Sequence, residues 1–232
     1  MNKEQKSERV YHIFENISEK YDKANNRISL GLQKNWKNIV VEKIIKETPE
    51  KTNFLDVCCG TGDISILIGN KRKDLNITGV DFSPAMLIEA EKKSVGMDNV
   101  AWIKGDAMNL PFPDEKFSGA CISFGLRNTP DYEKVLSEMK RVVQREGVIY
   151  CLDSFVPDKK LVRPFYKIYF KYLMPFLGGG KKHYKEYLWL YESTHNFLKR
   201  KELMALYEKI GLKEIEYKSK MFGTCVLVQG KK

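Results

Sequence analysis

The sequence lacks the features that would place it in a bilayer or among disulfide-rich secreted proteins. None of its apolar runs is long enough to span a membrane, and its charged N-terminus has no apolar centre of the kind that signal peptides carry. Its five cysteines form no CxxC pair and its three histidines show no ligand spacing. These absences argue against a disulfide framework and a metal site, and they predict a cytoplasmic protein.

The 232 residues do contain enough apolar side chains for a sizeable core. Hydrophobic residues account for 43% and charged residues for 30%, which is typical of a globular chain. The length suits one large α/β domain or a domain with an appended subdomain. We predict an N-terminal helical cap over residues 1–48 and a main domain over residues 49–232.

From about residue 53 onward, short apolar runs alternate with helical patterns. The predicted strands are Asn53–Cys59, Asn76–Asp81, Val100–Ile103, Ala120–Leu126, Val148–Phe155, Lys213–Lys218 and Cys225–Gln229. Helices between consecutive strands imply crossover connections and therefore a parallel sheet. The last two strands lie too close together for a helix between them, so we expect them to pair antiparallel. This arrangement differs from the usual dinucleotide-binding plan.

Two segments depart from the alternation. At the N-terminus, helices are predicted over residues 3–20 and from about 33 to 46, with a polar stretch between them. After the fifth strand, prolines and a triple-glycine run break residues 156–195 into short helices and loops. The expected fold is α/β, with a seven-stranded, mostly parallel sheet, an antiparallel C-terminal hairpin, N-terminal helices and a helical insertion.

The sharpest motif is LDVCCGTGD, at residues 55–63, which joins the first of these strands to a helix. Gly60 and Gly62 permit a tight turn and a close backbone approach to a ligand. Asp81 ends the second strand 21 positions after Gly60, near the spacing of roughly 20 that places a carboxylate on ribose hydroxyls. The motif therefore predicts a site for a nucleoside-containing cofactor.

A nicotinamide or flavin site would use a similar turn, but three features argue against one. The turn lacks the third glycine of GxGxxG, and Asp63 stands at the helix start, where it would repel a diphosphate. Asp106, after the third strand, can accept a hydrogen bond from an adenine amino group. The combination resembles the class I S-adenosylmethionine-dependent methyltransferases, which have a Rossmann-like fold. The resemblance implies S-adenosylmethionine as cofactor and these cofactor-binding residues: Asp56, Gly60, Thr61, Gly62, Asp81, Asp106, Ala107 and Ser123.

Motifs outside the turn narrow the resemblance. The pattern YDxxNxxxSxGxxxxW, which begins at Tyr21, and the run FGLRN, at residues 124–128, look like the ubiquinone/menaquinone biosynthesis C-methyltransferases. The likeness extends over nearly the whole chain. It includes departures: Ala24 stands where the family usually has Met, Lys34 where it has Arg, and Arg145-Glu146-Gly147 where it has a Pro-Gly-Gly turn. The departures bear on which quinone is used.

The resemblance implies methylation of a ring carbon of a reduced, prenylated quinol. Such a carbon becomes nucleophilic when the neighbouring hydroxyl, with a phenolic pKa of about 10, loses its proton. Arg127 is the candidate for stabilising the oxyanion, and Asn128 is a second donor to the same oxygen. Tyr21 and Asp22 are candidates for closing over the substrate, with Asp22 also a candidate base. Alternatively, Arg127 only caps the fourth strand by pairing with Asp131, and Tyr21 and Asp22 form an ordinary helix end.

The net charge of +10 is concentrated in residues 159–185, which carry eight Lys and Arg residues and no acidic one. A basic, aromatic-rich segment suits an anionic membrane surface or a nucleic acid, and a solvated helix whose aromatic face covers a core has the same composition. Because a prenylated quinol resides in the membrane, the resemblance favours peripheral contact at the inner face of the membrane and no nucleic-acid partner. The sequence leaves open a homo-oligomer, another small aromatic or lipid-like acceptor, and a module that senses S-adenosylmethionine without turnover.

Overall fold

The computed structural model describes residues 2–232, which are organised around one seven-stranded sheet. The strands are β1 (Asn53–Val57), β2 (Asn76–Asp81), β3 (Val100–Lys104), β4 (Phe117–Ser123), β5 (Val143–Ser154), β6 (Lys213–Lys220) and β7 (Cys225–Lys231). Their order is β3-β2-β1-β4-β5-β7-β6; β1 to β5 run parallel, and β7 pairs antiparallel with β5 and β6. The predicted mostly parallel sheet with an antiparallel C-terminal hairpin is confirmed.

Helices connect the parallel strands, except β3 and β4, which are joined by a loop, and they cover the sheet on both faces. They are α1 (Lys3–Ile17), α2 (Tyr21–Ile28), α3 (Leu32–Glu47), α4 (Asp63–Lys71), α5 (Pro84–Lys93), α6 (Tyr132–Val142), α7 (Arg163–Ile168), α8 (Met174–Gly179), α9 (Tyr184–His195) and α10 (Arg200–Lys209). Alternate β1 side chains enter different apolar clusters: Leu55 and Val57 join one, and Phe54 joins the other. Burial on both faces is what a parallel sheet requires.

The carboxyl end of β4 differs from its prediction. The strand begins and ends three residues earlier than the predicted Ala120–Leu126, because Phe124 adopts a left-handed φ of 58° and residues 126–128 form a 3₁₀ turn. Leu126 is apolar because it is buried in the core, not because its backbone is extended. As a result, the FGLRN run forms a turn beyond the sheet edge.

The polar stretch between the two predicted N-terminal helices is itself helical. Residues Tyr21–Ile28 form α2, and α3 begins at Leu32 after Gly31, whose φ is 77°. Only three of the eight side chains of α2, Tyr21, Ala24 and Ile28, are apolar; they have helical spacing, but a pattern this short is a weak signal. Its helical conformation is therefore supported by tertiary contacts more than by local pattern.

The insertion after β5 packs against the N-terminal helices. As predicted, it is broken: α7 runs through a π-helical segment, Tyr169–Leu173, into α8, and α9 follows a glycine-rich turn. A third apolar cluster joins side chains of α1, α8 and α9, including Val10, Met174 and Trp189. None of the helices within residues 2–232 combines the length and apolar character needed to cross a bilayer.

Candidate active site

Two cavities lie beyond the carboxyl ends of the parallel strands, where the order of the sheet reverses between β1 and β4. The first has a volume of about 250 Å³ and is lined by residues that follow β1, β2, β3 and β4. The second, about 100 Å³, lies towards α2, α3 and the insertion. Both are lined by the same five residues: Tyr21, Cys58, Gly60, Ser123 and Phe124. Molecules bound in the two cavities would therefore meet at this shared wall.

The two glycines of the turn after β1 serve different purposes. Gly60 has a φ of 55°, and a Cβ placed on it would meet no atom within 4 Å, so this position faces open cavity. Gly62 has a φ of 79°, and a Cβ there would lie 2.3 Å from the Trp102 ring. Gly60 therefore gives a ligand access to the backbone, whereas Gly62 permits close packing.

Asp81 is buried at the end of β2 and lines the first cavity. Its carboxylate accepts hydrogen bonds from the backbone amides of Gly60, at 2.8 Å, and Ser83, at 3.0 Å. Burial raises the pKa of Asp81 to about 6, so the group is ionised above that pH. Each oxygen retains a second lone pair that can accept from a sugar hydroxyl.

The charge of the first cavity also argues for S-adenosylmethionine over a cofactor with a diphosphate. Asp81 and Asp106 both line it, and within residues 2–232 no Lys or Arg does. Asp106 is held at the wall by the Met108 amide, 2.8 Å from its Oδ1, and Phe82 adds an apolar surface. Two carboxylates without a cation repel a diphosphate and attract a sulfonium. The residues therefore fit S-adenosylmethionine.

Two of the predicted cofactor residues are bonded to other parts of the chain, and the side chain of a third has no hydrogen-bond partner among the residues that the structure describes. Asp56 is buried and accepts from Ser65 Oγ, at 2.7 Å, which fixes the start of α4 against β1. Thr61 donates to Asp22 of α2 at 2.7 Å. Ser123 Oγ is buried at the shared wall and has no hydrogen-bond partner in the described chain, so it is available to a ligand.

Cys58 and Phe124 separate the two cavities at the ends of the adjacent strands β1 and β4. Both adopt left-handed backbone conformations, with φ values of 53° and 58°. Gly125 permits their approach, since a Cβ on it would lie 2.5 Å from Cys58 Cβ. Two non-glycine residues in this region of φ, side by side, mark a conformation that the surrounding fold must enforce.

Arg127 lies buried on the turn after β4 and lines the second cavity. Its Nη1 donates to Asp153 Oδ1 on β5 and to the Phe124 carbonyl, and its buried Nε has no partner among residues 2–232. The alternative pairing with Asp131 is wrong, because Asp131 caps α6 and forms an ion pair with Lys3. Arg127 is thus held by an acid from the next strand.

Asn128 connects the same turn to the insertion. Its Oδ1 accepts from Trp189 Nε1 of α9 at 3.0 Å, and its Nδ2 donates to the Phe124 carbonyl at 3.2 Å. Both ends of the amide are engaged. The arrangement favours a role in positioning the turn over the predicted direct contact with a substrate oxygen.

The first two residues of α2, Tyr21 and Asp22, have different surroundings: one lines the cavities and the other is bonded to neighbouring elements. Tyr21 lines both cavities, and burial raises its pKa to about 12, so it remains a hydrogen-bond donor. Asp22 lines neither; it accepts from Thr61 Oγ1 and from Lys93 Nζ, each at 2.7 Å. These contacts fasten α2 to the glycine turn and favour a closing role for Asp22 over that of a base.

A family model described as the ubiE/COQ5 methyltransferase family matches residues 2–232. The chain belongs to this family. Among curated relatives, the demethylmenaquinone methyltransferases of Bacillus licheniformis and Lysinibacillus sphaericus are 42% and 41% identical to it. The first match covers 91% of both chains; the second covers 96% of this chain and 95% of the relative. The protein is therefore an S-adenosylmethionine-dependent methyltransferase.

Solved structures agree on the fold of the methyltransferase. A SAM-dependent methyltransferase from Thermotoga maritima, described as a possible histamine N-methyltransferase, has a TM-score of 0.67 at 22% identity and covers 96% of this chain and 99% of its own. Phosphoethanolamine N-methyltransferase 2 of Haemonchus contortus, in complex with S-adenosyl-L-methionine, has a TM-score of 0.63 at 14% identity, over 84% of this chain and 52% of that one. The expected Rossmann-like methyltransferase fold is confirmed.

Sequence reasoning missed several residues that build the site of this methyltransferase. The only sequence signal for Asp153 is its position as an acidic residue inside an apolar strand, a pattern that indicates a buried ion pair. Val10 and Phe14 of α1 line the first cavity, but their helical spacing predicts packing equally well. The left-handed backbone of Cys58 has no signal in its residue type.

Proposed function

We propose that this methyltransferase transfers the methyl group of S-adenosylmethionine to a ring carbon of demethylmenaquinol, a reduced quinol with a prenyl tail. The observation that carries the proposal is the joining of two unlike cavities, an acidic one and one with a fixed guanidinium, at a single wall. Relatives named demethylmenaquinone methyltransferase, 40–42% identical over most of the chain, support the choice of acceptor.

The reaction requires a carbon nucleophile and a positioned methyl group. S-adenosylmethionine supplies an electrophilic methyl on a sulfonium. The quinol hydroxyl next to the acceptor carbon releases its proton, and the ring carbon attacks the methyl in line as the sulfur–methyl bond breaks, with that electron pair going to sulfur. Loss of the proton from the methylated carbon and return of one to the oxygen restore the aromatic quinol. The net products are methylated quinol, S-adenosylhomocysteine and one proton.

We assign Arg127 the stabilisation of the quinol oxyanion. Asp153 and the Phe124 carbonyl hold Nη1, so the guanidinium is pre-oriented before substrate binds. The unpartnered Nε supports a further contact from the cavity side. A cation at this point lowers the pKa of the bound hydroxyl and so favours the reactive anion.

We assign Tyr21 a second hydrogen bond at the shared wall and Asp22 the closing of α2 over the site. Burial keeps the pKa of Tyr21 near 12, so its hydroxyl donates and does not act as a base. Asp22 is engaged by Thr61 and Lys93. Among the residues that line the two cavities in the described part of the chain there is no histidine, and this supports release of the quinol proton to water.

Peripheral contact with an anionic membrane is the second part of the proposal. The basic segment carries exposed apolar side chains that recur about every fourth residue, including Leu161, Phe165, Ile168, Tyr172 and Phe176. Lysines and arginines are interleaved with them, and Lys159 lies over the exposed Phe222 ring at 5.5 Å. Exposed apolar groups among cations favour a lipid surface over nucleic acid or a solvated face.

The direct test incubates the purified protein anaerobically with methyl-labelled S-adenosylmethionine and demethylmenaquinol. Mass spectrometry and fragmentation locate the label. We expect it on the ring carbon, with S-adenosylhomocysteine formed in equal amount. A label on oxygen, or methylation of a different aromatic or lipid-like acceptor while the quinol is unchanged, would contradict the assignment.

A further inference from the structure

Lys37 is a buried cation at the second cavity that the methyl-transfer chemistry does not use. It lies on α3, its side chain is 11% exposed, and its Nζ donates to Asp63 Oδ2 at 2.6 Å. An ammonium group has three protons to donate. Lys37 shares the cavity wall with Gly60 and Thr61 of the glycine turn, so its remaining donors lie where a ligand can reach them.

Few cationic side chains line the two cavities, and they lie on different sides of the site. Of the residues that line the two cavities, Lys37 and Arg127 are the only ones with a cationic side chain in the described part of the chain. Arg127 follows β4 and is tied to Asp153. Lys37 lines the cavity together with residues of the turn after β1. An anion on the glycine-turn side would therefore meet Lys37 and not Arg127.

The cofactor carries an anionic group of its own. S-adenosylmethionine ends in an α-amino carboxylate, which lies at the opposite end of the molecule from adenine. Asp106 and Asp81 mark the adenine and ribose region in the first cavity, and the Asp81 carboxylate is bonded to the Gly60 amide. Because Gly60 also lines the second cavity, the amino-acid end of the ligand can continue past the turn. A carboxylate taken from water there needs a partner.

We propose that Lys37 binds the α-carboxylate of the methionine part of S-adenosylmethionine. The inference rests on the cofactor site that forms part of the proposed function. Asp63 orients the lysine, and Lys93 also donates to Asp63, so the acid retains a cationic partner when Lys37 contacts the ligand. Helix α3, part of the N-terminal cap, thereby contributes directly to cofactor binding.

The experiment compares two ligands that differ in the amino-acid part. S-adenosylhomocysteine has it, whereas 5′-methylthioadenosine keeps the adenosine and the thioether and lacks it. Isothermal titration calorimetry measures both with the wild type, with Lys37→Met and with Lys43→Met. Lys43 lies on the same helix and pairs with Glu47 and Glu216, away from both cavities.

We expect Lys37→Met to bind S-adenosylhomocysteine at least about tenfold more weakly than the wild type does, because a charge-assisted hydrogen bond is lost. Its affinity for 5′-methylthioadenosine should stay within about twofold of the wild-type value. Lys43→Met should bind both normally. An equal loss for both ligands would show that Lys37 only clamps α3 to α4, and no loss for either would also overturn the inference. Failure of the wild type to bind either ligand would instead overturn the cofactor site itself.

A second measurement removes the carboxylate from the ligand and not the lysine from the protein. The decarboxylated analogue of S-adenosylhomocysteine should bind the wild type about tenfold more weakly than the parent, and Lys37→Met should no longer distinguish the two. Equal affinity of the wild type for both would overturn the proposal, whatever the stability of the variant.

Discussion

The two cavities of this methyltransferase are built in different ways. The first is lined largely by residues at the ends of consecutive strands, such as Gly60, Asp81 and Asp106, and each lies at the end of its strand or within three residues of it. The second gathers side chains from α2, α3, the turn after β4 and the insertion, including Lys37, Arg127 and Met174. The comparison teaches that the wall of the first cavity, which we assign to the adenosine part of the cofactor, is built locally, whereas the second cavity depends on how distant segments pack.

The cavities also differ in charge. The first has two carboxylates and, in the chain as described, no cation, whereas the second has Lys37 and Arg127 in addition to its acids. In the proposed reaction, the sulfonium is stabilised beside the carboxylates and the quinol oxyanion beside the guanidinium. Since the two cavities meet at one wall, this arrangement would favour the pair of opposite charges that precedes methyl transfer. Mutations should therefore be able to change cofactor affinity and turnover of the acceptor separately.

The largest expected effect is on the acceptor side alone. Arg127→Gln should lower kcat with demethylmenaquinol by about 100-fold, the loss typical of one oxyanion donor, because the quinol anion is no longer stabilised. Affinity for S-adenosylmethionine should stay within about twofold. Steady-state kinetics and calorimetry measure the two quantities. A parallel loss of cofactor affinity would break the distinction between the cavities.

A change in the first cavity should instead lower the affinity for the cofactor. Asp81→Ala removes the acceptor proposed for the ribose hydroxyls and should weaken S-adenosylmethionine binding by more than about tenfold, or about 1.4 kcal/mol. Calorimetry measures the affinity, and Asp74→Ala, an acid remote from both cavities, is the control. Unchanged affinity would mean that the ribose contact is misassigned.

Cofactor binding should also depend on pH in a defined direction. Burial raises the pKa of Asp81 to about 6, so its carboxylate is ionised above pH 6 and is progressively protonated below it. A protonated acid accepts fewer hydrogen bonds, and we expect affinity at pH 5 to be up to about tenfold lower than at pH 7. Asp81→Asn should flatten this dependence. A wild-type affinity that rises on acidification would contradict the assignment.

The smallest expected effect concerns the outer face of the insertion. Leu161→Glu should reduce flotation with anionic vesicles by about fivefold, because one charge near such a surface is worth about 1 kcal/mol. Val95→Glu is a matched control, since Val95 is 84% exposed and Leu161 is 87% exposed, but Val95 lies outside the basic segment. Equal loss in both variants, or equal wild-type binding to neutral vesicles, would argue against a specific membrane face.

Much of the fold and of the cofactor side could be predicted from the sequence. Strand order cannot be seen in the chain, but alternation of strands and helices, the turn at residues 55–63 and acids at strand ends are local signals. The Ser83-Pro84 pair predicts the start of α5, where Ser83 Oγ accepts from the Met86 amide at 3.2 Å. Such features depend on neighbours within a few residues.

The acceptor side was harder to predict because its contacts cross long stretches of chain. The sequence suggested Asp131 as a partner for Arg127, yet β4 and β5 are adjacent parallel strands, and their pairing brings Asp153 to the guanidinium instead. Likewise, Asp22 reads as a candidate base until Lys93, 71 positions later, is seen to bind it. A residue's chemical role changes with the partner that packing supplies.

By itself, then, the sequence determined the alternating α/β architecture and the residues offered at the strand ends, since backbone propensity and local spacing are enough for these, and its resemblance to a known family indicated the kind of cofactor. Only the tertiary structure decided which of those residues face a cavity and which are bound to one another. The reason is physical: burial and pairing set the hydrogen-bonding capacity and the charge of a side chain, and both depend on groups far away in the chain.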